Sequence, residues 1–453
     1  MRTPARFPLA IQDPSGLLFG VAPRPLAVGR NLTLGGGSVI PEIGFSPPTP
    51  VVDAGTWKDV VKGYRRTAEA VVSRARALEV PGLVIDFEHP PAMTERPEWG
   101  AEVTALLREA LERSGLPNAL RVTVADLRDR ARPLRLRSGP AWEAMRESWR
   151  RCGASGADIL CVESVGGKEA HDQALLYGDV AGLALALGVL AARDMEWLWT
   201  ELVASAGGAV PGSDSACGFA NAAMELANRR MLPEILAAVV RAMGAARSLI
   251  AFECGARGPS KGCAHEGPVL KAVTGCPIAM AGKGAVFAQP GPLGNIAGAA
   301  ADLWSSGAVP DVPLRCEHAP EAALEALAYD VRLLNAAAAR GRAALVRDLL
   351  VESDELRTPQ ALVLGPPASL LLARAIVQHA GDDYRRTLRA GRSAVGIIEE
   401  AVGDGRLLLA PNEARWLERV SRALDEIPNT AEALLAEAGP RYRDHVDPAN
   451  YGL

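Results

Sequence analysis

From residue 57 onward, apolar stretches with helical spacing alternate with short, nearly continuous apolar runs that end on a polar or glycine-rich turn. That alternation predicts parallel strands joined by helices. A helix over 57–79 leads to a strand over 82–87 that ends at Glu88 and His89. A helix over 101–113 leads to a strand over 119–125, and a helix over 141–152 to a strand over 157–162. Further strands are expected over 209–212, 248–252 and 277–281, with less regular ones near Val312. Six or so such units suit a closed barrel. A doubly wound dinucleotide fold would place a GxGxxG turn after its first strand, and none is present. The expected fold class is therefore α/β, a TIM (β/α)8 barrel.

Two flanking regions break the alternation. Residues 1–56 hold many Pro and Gly, including GGG at 35–37, and read as an irregular N-terminal arm with short strands that wraps the barrel. Beyond 318 the pattern is helical over 320–339, 342–352, 367–379, 384–402 and 411–424. The expected organisation is an arm over 1–56, a catalytic barrel over 57–318 and a C-terminal helical region over 319–453. That last region would complete the barrel and dock a partner.

Composition narrows the class. Hydrophobic residues make up 49% and charged residues 23%, which provides for a sizeable core. The formal net charge is -4 with Lys and Arg dispersed, so no nucleic-acid footprint is expected. The basic stretch at 128–137 is interrupted by acidic and apolar residues and reads as a solvated loop. The apolar run over 180–192 is bounded by Asp179 and Arg193 and is shorter than the roughly 20 residues that span a bilayer. It reads as a buried or interface helix, so no membrane segment is expected. Seven cysteines without CxxC spacing argue against a disulfide framework. The N-terminus lacks the apolar core of a signal peptide. A cytoplasmic protein is expected.

Candidate chemistry sits where the strands end, the face on which barrels of this kind carry their sites. The run VESVGGKE places Glu163 at a strand end. Cys217 in GSDSACGFANAAM lies near the start of a helix that Ser213, Asp214 or Ser215 can cap, where unpaired N–H groups favour thiolate. Cys263 in ECGARGPSKGC precedes a helix opened by Pro268. A carboxylate and two thiolates suit Zn2+, with a fourth position open to substrate. Spacing alone leaves packing as the rival reading for both cysteines. Cys161 and Cys254 read as packing residues.

The segments VESVGGKE, CGFANAAM and ECGARGPSKGC with its trailing Glu266 resemble the methanol:corrinoid methyltransferase subunit of methylotrophic methanogens and acetogens. VIPEIGFSP, PEWGAEV, DMEWLWT and the terminal NYGL add to the resemblance, which covers nearly the whole chain. It implies a TIM barrel with one zinc on Glu163, Cys217 and Cys263. It also implies transfer of the methanol methyl group to Co(I) of a corrinoid carried by a small partner protein, in a heteromer or alongside self-association.

Two thiolates and a carboxylate leave zinc formally anionic, so help for the departing oxygen is expected from Asp214, Glu88 or His265. Lys168 and Lys261, in glycine-containing loops, are candidates to meet the corrinoid or else to face water. The resemblance departs at Val122, Phe287 and Gln289, where family members carry polar groups. A drier pocket would admit another methyl donor, such as a methoxy compound. A zinc-stabilised scaffold that only binds proteins, and a zinc hydrolase, are the competing readings, and the six histidines disfavour the hydrolase.

Overall fold

The computed structural model describes the chain except for residues 1, 7, 47–50, 131–133, 216–217, 263–265, 283–292, 311 and 445. Ten strands are present among the described residues. Val21–Val28 (β1) and Leu32–Gly36 (β2) form an antiparallel hairpin. Ile40–Phe45 (β3), Leu83–Glu88 (β4), Asn118–Ala125 (β5), Ile159–Glu163 (β6), Val210–Asp214 (β7), Ser260–Gly262 (β8), Ile278–Ala281 (β9) and Leu303–Ala308 (β10) form one parallel eight-stranded sheet. Its order is β7-β6-β5-β4-β3-β10-β9-β8, with β10 paired to β3. The amide of Arg257, ahead of β8, donates to Pro211 O on β7 at 2.9 Å, so the two edges meet. This is the near-closed barrel expected from the alternation.

The barrel starts earlier than its composition suggests. β3 lies inside the segment read as an arm, because Pro41 and Gly44 mask a strand whose six residues are all buried. The hairpin ahead of it caps the lower end of the barrel. Leu26, Val28, Leu32 and Leu34 cluster there with Ile40, Val84, Ala119, Ile159, Cys161, Val210, Ala279 and Leu303. Its turn is tied to β5, with Arg30 and Asn118 exchanging backbone bonds of 2.7 and 3.0 Å. Gly29 makes this approach possible, since a Cβ there would collide with Asn118 O. The first residues do wrap the body, with Thr3 N bonded to Glu253 O and Ile11 N to Ala272 O.

Two strand expectations are corrected. Residues 248–252 are the last turns of the helix Glu234–Glu253, not a strand. That helix is largely apolar and buried on every side, its few polar residues included, so it shows no amphipathic period and its end reads as a buried strand. It has the length and apolarity of a membrane span, yet it lies wholly inside the fold. Near Val312 there is no strand among the described residues; the last barrel strand is β10.

The run over 180–192 is a core helix, Val180–Leu185, that continues through a π-helical turn, Ala186–Leu190, into Ala191–Ser205. The expected C-terminal helices appear at Ala319–Ala339, Ala343–Asp354, Pro366–Val377, Asp383–Gly403 and Pro411–Glu426. The first packs on β3 and β10 as a barrel helix, and Asp383–Gly403 packs along Glu234–Glu253.

Candidate metal centre at the barrel mouth

Strand alternation and register aim a charged layer into the upper barrel. Register pairs Gly44 with Asp86, Asp86 with Arg121, and Thr123 with Cys161, so Glu42, Asp86, Arg121, Cys161 and Glu163 share the inner face. Arg121 Nε meets Glu42 Oε1 at 2.9 Å, with both side chains fully buried. Lys261 on β8 donates from Nζ to Asp86 Oδ2 at 2.7 Å and also to Glu88. Four carboxylates, of Glu42, Asp86, Glu88 and Glu163, thus face the two cations of Arg121 and Lys261. Among the described residues carboxylates therefore outnumber cations on this face, and burial raises the Glu42 and Glu163 carboxyls.

Glu163 ends β6 and is mostly buried. Burial, with Glu88 and Asp214 nearby, lifts its carboxyl to about 7, against the opposing pull of Lys261 and Lys168. The turn after it is glycine-bound for steric reasons. A Cβ on Gly166 would collide with the Asp194 carboxylate, and Gly167 has φ +83 with Ala186 O at 2.9 Å from the same position. Asp194 is held by Arg128 at 2.8 Å, and Arg128 is held in turn by Asp126 at 2.6 Å. The terminal NYGL closes over this turn, with Tyr451 Oη accepting from Gly167 N at 2.9 Å.

Asp214, expected as a helix cap or proton donor, does not cap the following helix. The helix begins only at Ala220, with no side-chain cap. Asp214 Oδ1 accepts from Ser164 N at 3.0 Å and Oδ2 from Arg247 Nη1 at 2.7 Å, and both side chains are about 1% exposed. With both oxygens engaged by N–H donors, it is an ion-paired acceptor that ties β6 to β7. The sequence showed no sign of Arg247, a single cation in an apolar run, AARSLIAF.

Other expected residues are placed as follows. Lys261 points into the barrel mouth, where it pairs with Asp86 and Glu88. Lys168 opens the helix Lys168–Tyr177 and bonds Asp172 Oδ2 at 2.5 Å, its stem lying against Gly218. Glu88 stands half-exposed on the rim. Cys161 faces inward but is a packing thiol, pushed up to about 12 by burial. Cys254 is lifted to about 11 for the same reason. Val122 faces outward into the layer between strands and helices, beside Phe87, Leu120 and Leu160, so it does not line the mouth. Cys217, Cys263, His265, Phe287 and Gln289 lie outside the described residues. Among the described residues, no group of three His, Cys, Asp or Glu side chains stands ready to hold a metal.

Sequence reasoning missed the charged inner layer, although Glu42, Asp86 and Arg121 within apolar strands were a usable signal. It also missed His171. Its ring is buried and meets the Phe219 edge at 5.1 Å, and Nδ1 lies 3.1 Å from Asp172.

The whole-chain comparisons fit this geometry. Residues 6–452 match the family model described as MtaB, Methanol-cobalamin methyltransferase B subunit. The chain belongs to the methanol–cobalamin methyltransferase B subunit family. A methanol–corrinoid protein co-methyltransferase of Methanosarcina barkeri (strain Fusaro / DSM 804) is 33% identical over 464 residues, covering 98% of each chain. A chain in the crystal structure of the methanol:cobalamin methyltransferase complex MtaBC from Methanosarcina barkeri superposes with a TM-score of 0.95 at 32% identity over the full length of both. The TIM-type barrel and the methyltransferase class of this B subunit follow.

Of the three expected zinc ligands, Glu163 alone lies among the described residues, and its chemistry fits a cation. No hydrogen-bond partner of the Glu163 carboxylate is described, and its raised pKa marks a buried acid in want of a cation. Glu163 stands at the strand end that would present it to such an ion.

Proposed function

We propose that the chain transfers the methyl group of methanol to Co(I) of a corrinoid held by a small partner protein, with zinc on Glu163, Cys217 and Cys263. The single observation that carries this reading is Glu163, a largely buried carboxylate with no hydrogen-bond partner among the described residues, at the mouth of a barrel whose described inner face is rich in carboxylates. Bound there, zinc would supply Lewis acidity toward the alcohol oxygen. Methanol needs that help because hydroxide is a poor leaving group.

The protein side of the reaction is orientation and charge. The Asp86–Lys261–Glu88 chain fixes an ammonium and a rim carboxylate close enough to Glu163 to shift its acidity in opposite directions. In this reading the Lys261 ammonium, steadied by Asp86 and Glu88, would donate a hydrogen bond to an oxygen at the mouth and assist its departure. Asp214 supports this arrangement by holding the backbone beside Glu163. The packed barrel floor closes the other end, so substrate and corrinoid approach from one side. Because Val122 faces away from the mouth, it gives no support to a drier pocket built for a methoxy compound.

The test mixes zinc-loaded protein with methanol and free cob(I)alamin and follows methylcobalamin formation by absorbance. Methanol- and zinc-dependent formation is expected. No methanol-dependent change, with turnover of a methoxylated compound instead, overturns the substrate. Full turnover after zinc removal overturns the metal.

A further inference from the structure

One helix reaches all three chain segments that carry the expected zinc ligands. From Glu234–Glu253, Arg247 Nη1 donates to Asp214 Oδ2 at 2.7 Å, and Nη2 donates to Ser164 Oγ. The same guanidinium lies 4.0 Å from the centre of the Phe219 ring. The adjacent Ser248 donates from Oγ to Glu266 Oε2 at 2.5 Å. Glu266 Oε1 fills the space that a Cβ on Gly244 would take. Positions 244, 247 and 248 lie on one helix face, as the spacing i, i+3, i+4 requires.

The contacted residues are neighbours of the ligands in sequence. In sequence Ser164 follows Glu163, Asp214 and Phe219 bracket Cys217, and Glu266 lies close after Cys263. All four contacted side chains are buried, as are Arg247 and Ser248. Long sequence gaps separate the three ligands, so nothing local sets their spacing. A carboxylate and two thiolates also repel one another before a cation arrives. A rigid, fully buried helix that grips each segment, and carries a cation among them, meets both difficulties.

We propose that Arg247, with Ser248, is the positioning residue that holds the three ligand segments in register and thereby sets zinc affinity. This rests on the zinc reading of Glu163, Cys217 and Cys263. The helix acts through Ser164, Asp214, Phe219 and Glu266 and does not itself bind the metal.

The experiment measures zinc affinity by chelator competition on the full chain carrying Arg247→Met, Arg247→Lys or Ser248→Ala, with folding followed by circular dichroism. Arg247→Met is expected to weaken zinc binding by about 10- to 100-fold, a loss typical of removing a group that orients a ligand. Arg247→Lys should recover part of it, and Ser248→Ala should weaken binding by about tenfold. A merely structural role would lower the melting temperature equally with and without zinc and leave affinity unchanged, and that result overturns the proposal. Should Arg247→Met fail to fold, Arg247→Lys and Ser248→Ala decide, and wild-type affinity in both overturns it. Wild-type protein that takes up no zinc overturns the zinc reading itself, an outcome distinct from unchanged affinity in the variants.

Discussion

Replacing Glu163 with Gln should make the metal-free protein more stable and the zinc-loaded protein less so. Without metal, the Glu163 carboxyl titrates at about 7 instead of 4.5, chiefly because burial penalises its charge. A folded-state pKa raised above the unfolded value favours folding while the acid is protonated, and that contribution drains away as pH rises from 4.5 through 7. At 1.36 kcal/mol per pKa unit, the ionised side chain costs metal-free protein about 3 kcal/mol at about pH 8. The amide in the variant would keep the shape and lose the charge. Urea denaturation of chelator-treated wild type and Glu163→Gln, at about pH 5 and about pH 8, should show the variant gaining about 2.5 kcal/mol relative to wild type across that interval. Saturating zinc should reverse the order, because binding to the folded state then stabilises wild type more than the variant. Stability–pH curves that run parallel for the two proteins would refute the reasoning.

Gly166→Ala should cost about 3–5 kcal/mol, because its methyl group displaces Asp194 from the buried Arg128 pair, and should also strip zinc; melting curves and metal analysis check both. His89 is buried and held at about 3 by that burial, so it must stay neutral for the fold to persist. Its depressed pKa contributes stability above 6.5 that falls with pH, by about 2 kcal/mol at about pH 5. Urea denaturation of His89→Gln across that range should lack this slope. Lys261→Met leaves the buried Asp86 carboxylate without its cation and should destabilise the fold by about 3 kcal/mol, with methyl transfer lost alongside.

Much of the barrel was legible because its units are local. β4, β5 and β6 announce themselves as short apolar runs after amphipathic helices; β4 and β6 end on Glu88 and Glu163, and β5 stops just before Asp126. β3 was hidden by Pro41 and Gly44, which read as loop but are tolerated in a strand buried from end to end. The end of Glu234–Glu253 read as a strand because a helix buried on every side has no polar face to mark its period. Glu163 was legible as a strand-end carboxylate. Its burial, its raised pKa and its lack of a described partner were not, since all three depend on what surrounds it.

The sequence by itself determined the alternation of strand and helix, the glycine turn after Glu163 and the likeness to the methyltransferase B subunits, because local pattern and motif order need no third dimension. Tertiary structure alone decided that Lys261 turns inward to Asp86, that Val122 faces the helix layer, and that Asp214 is held by Arg247. The reason is distance along the chain. Asp214 and Arg247 pair across 33 positions and Asp86 and Lys261 across 175, and a charge can be assigned its partner only once the barrel has closed.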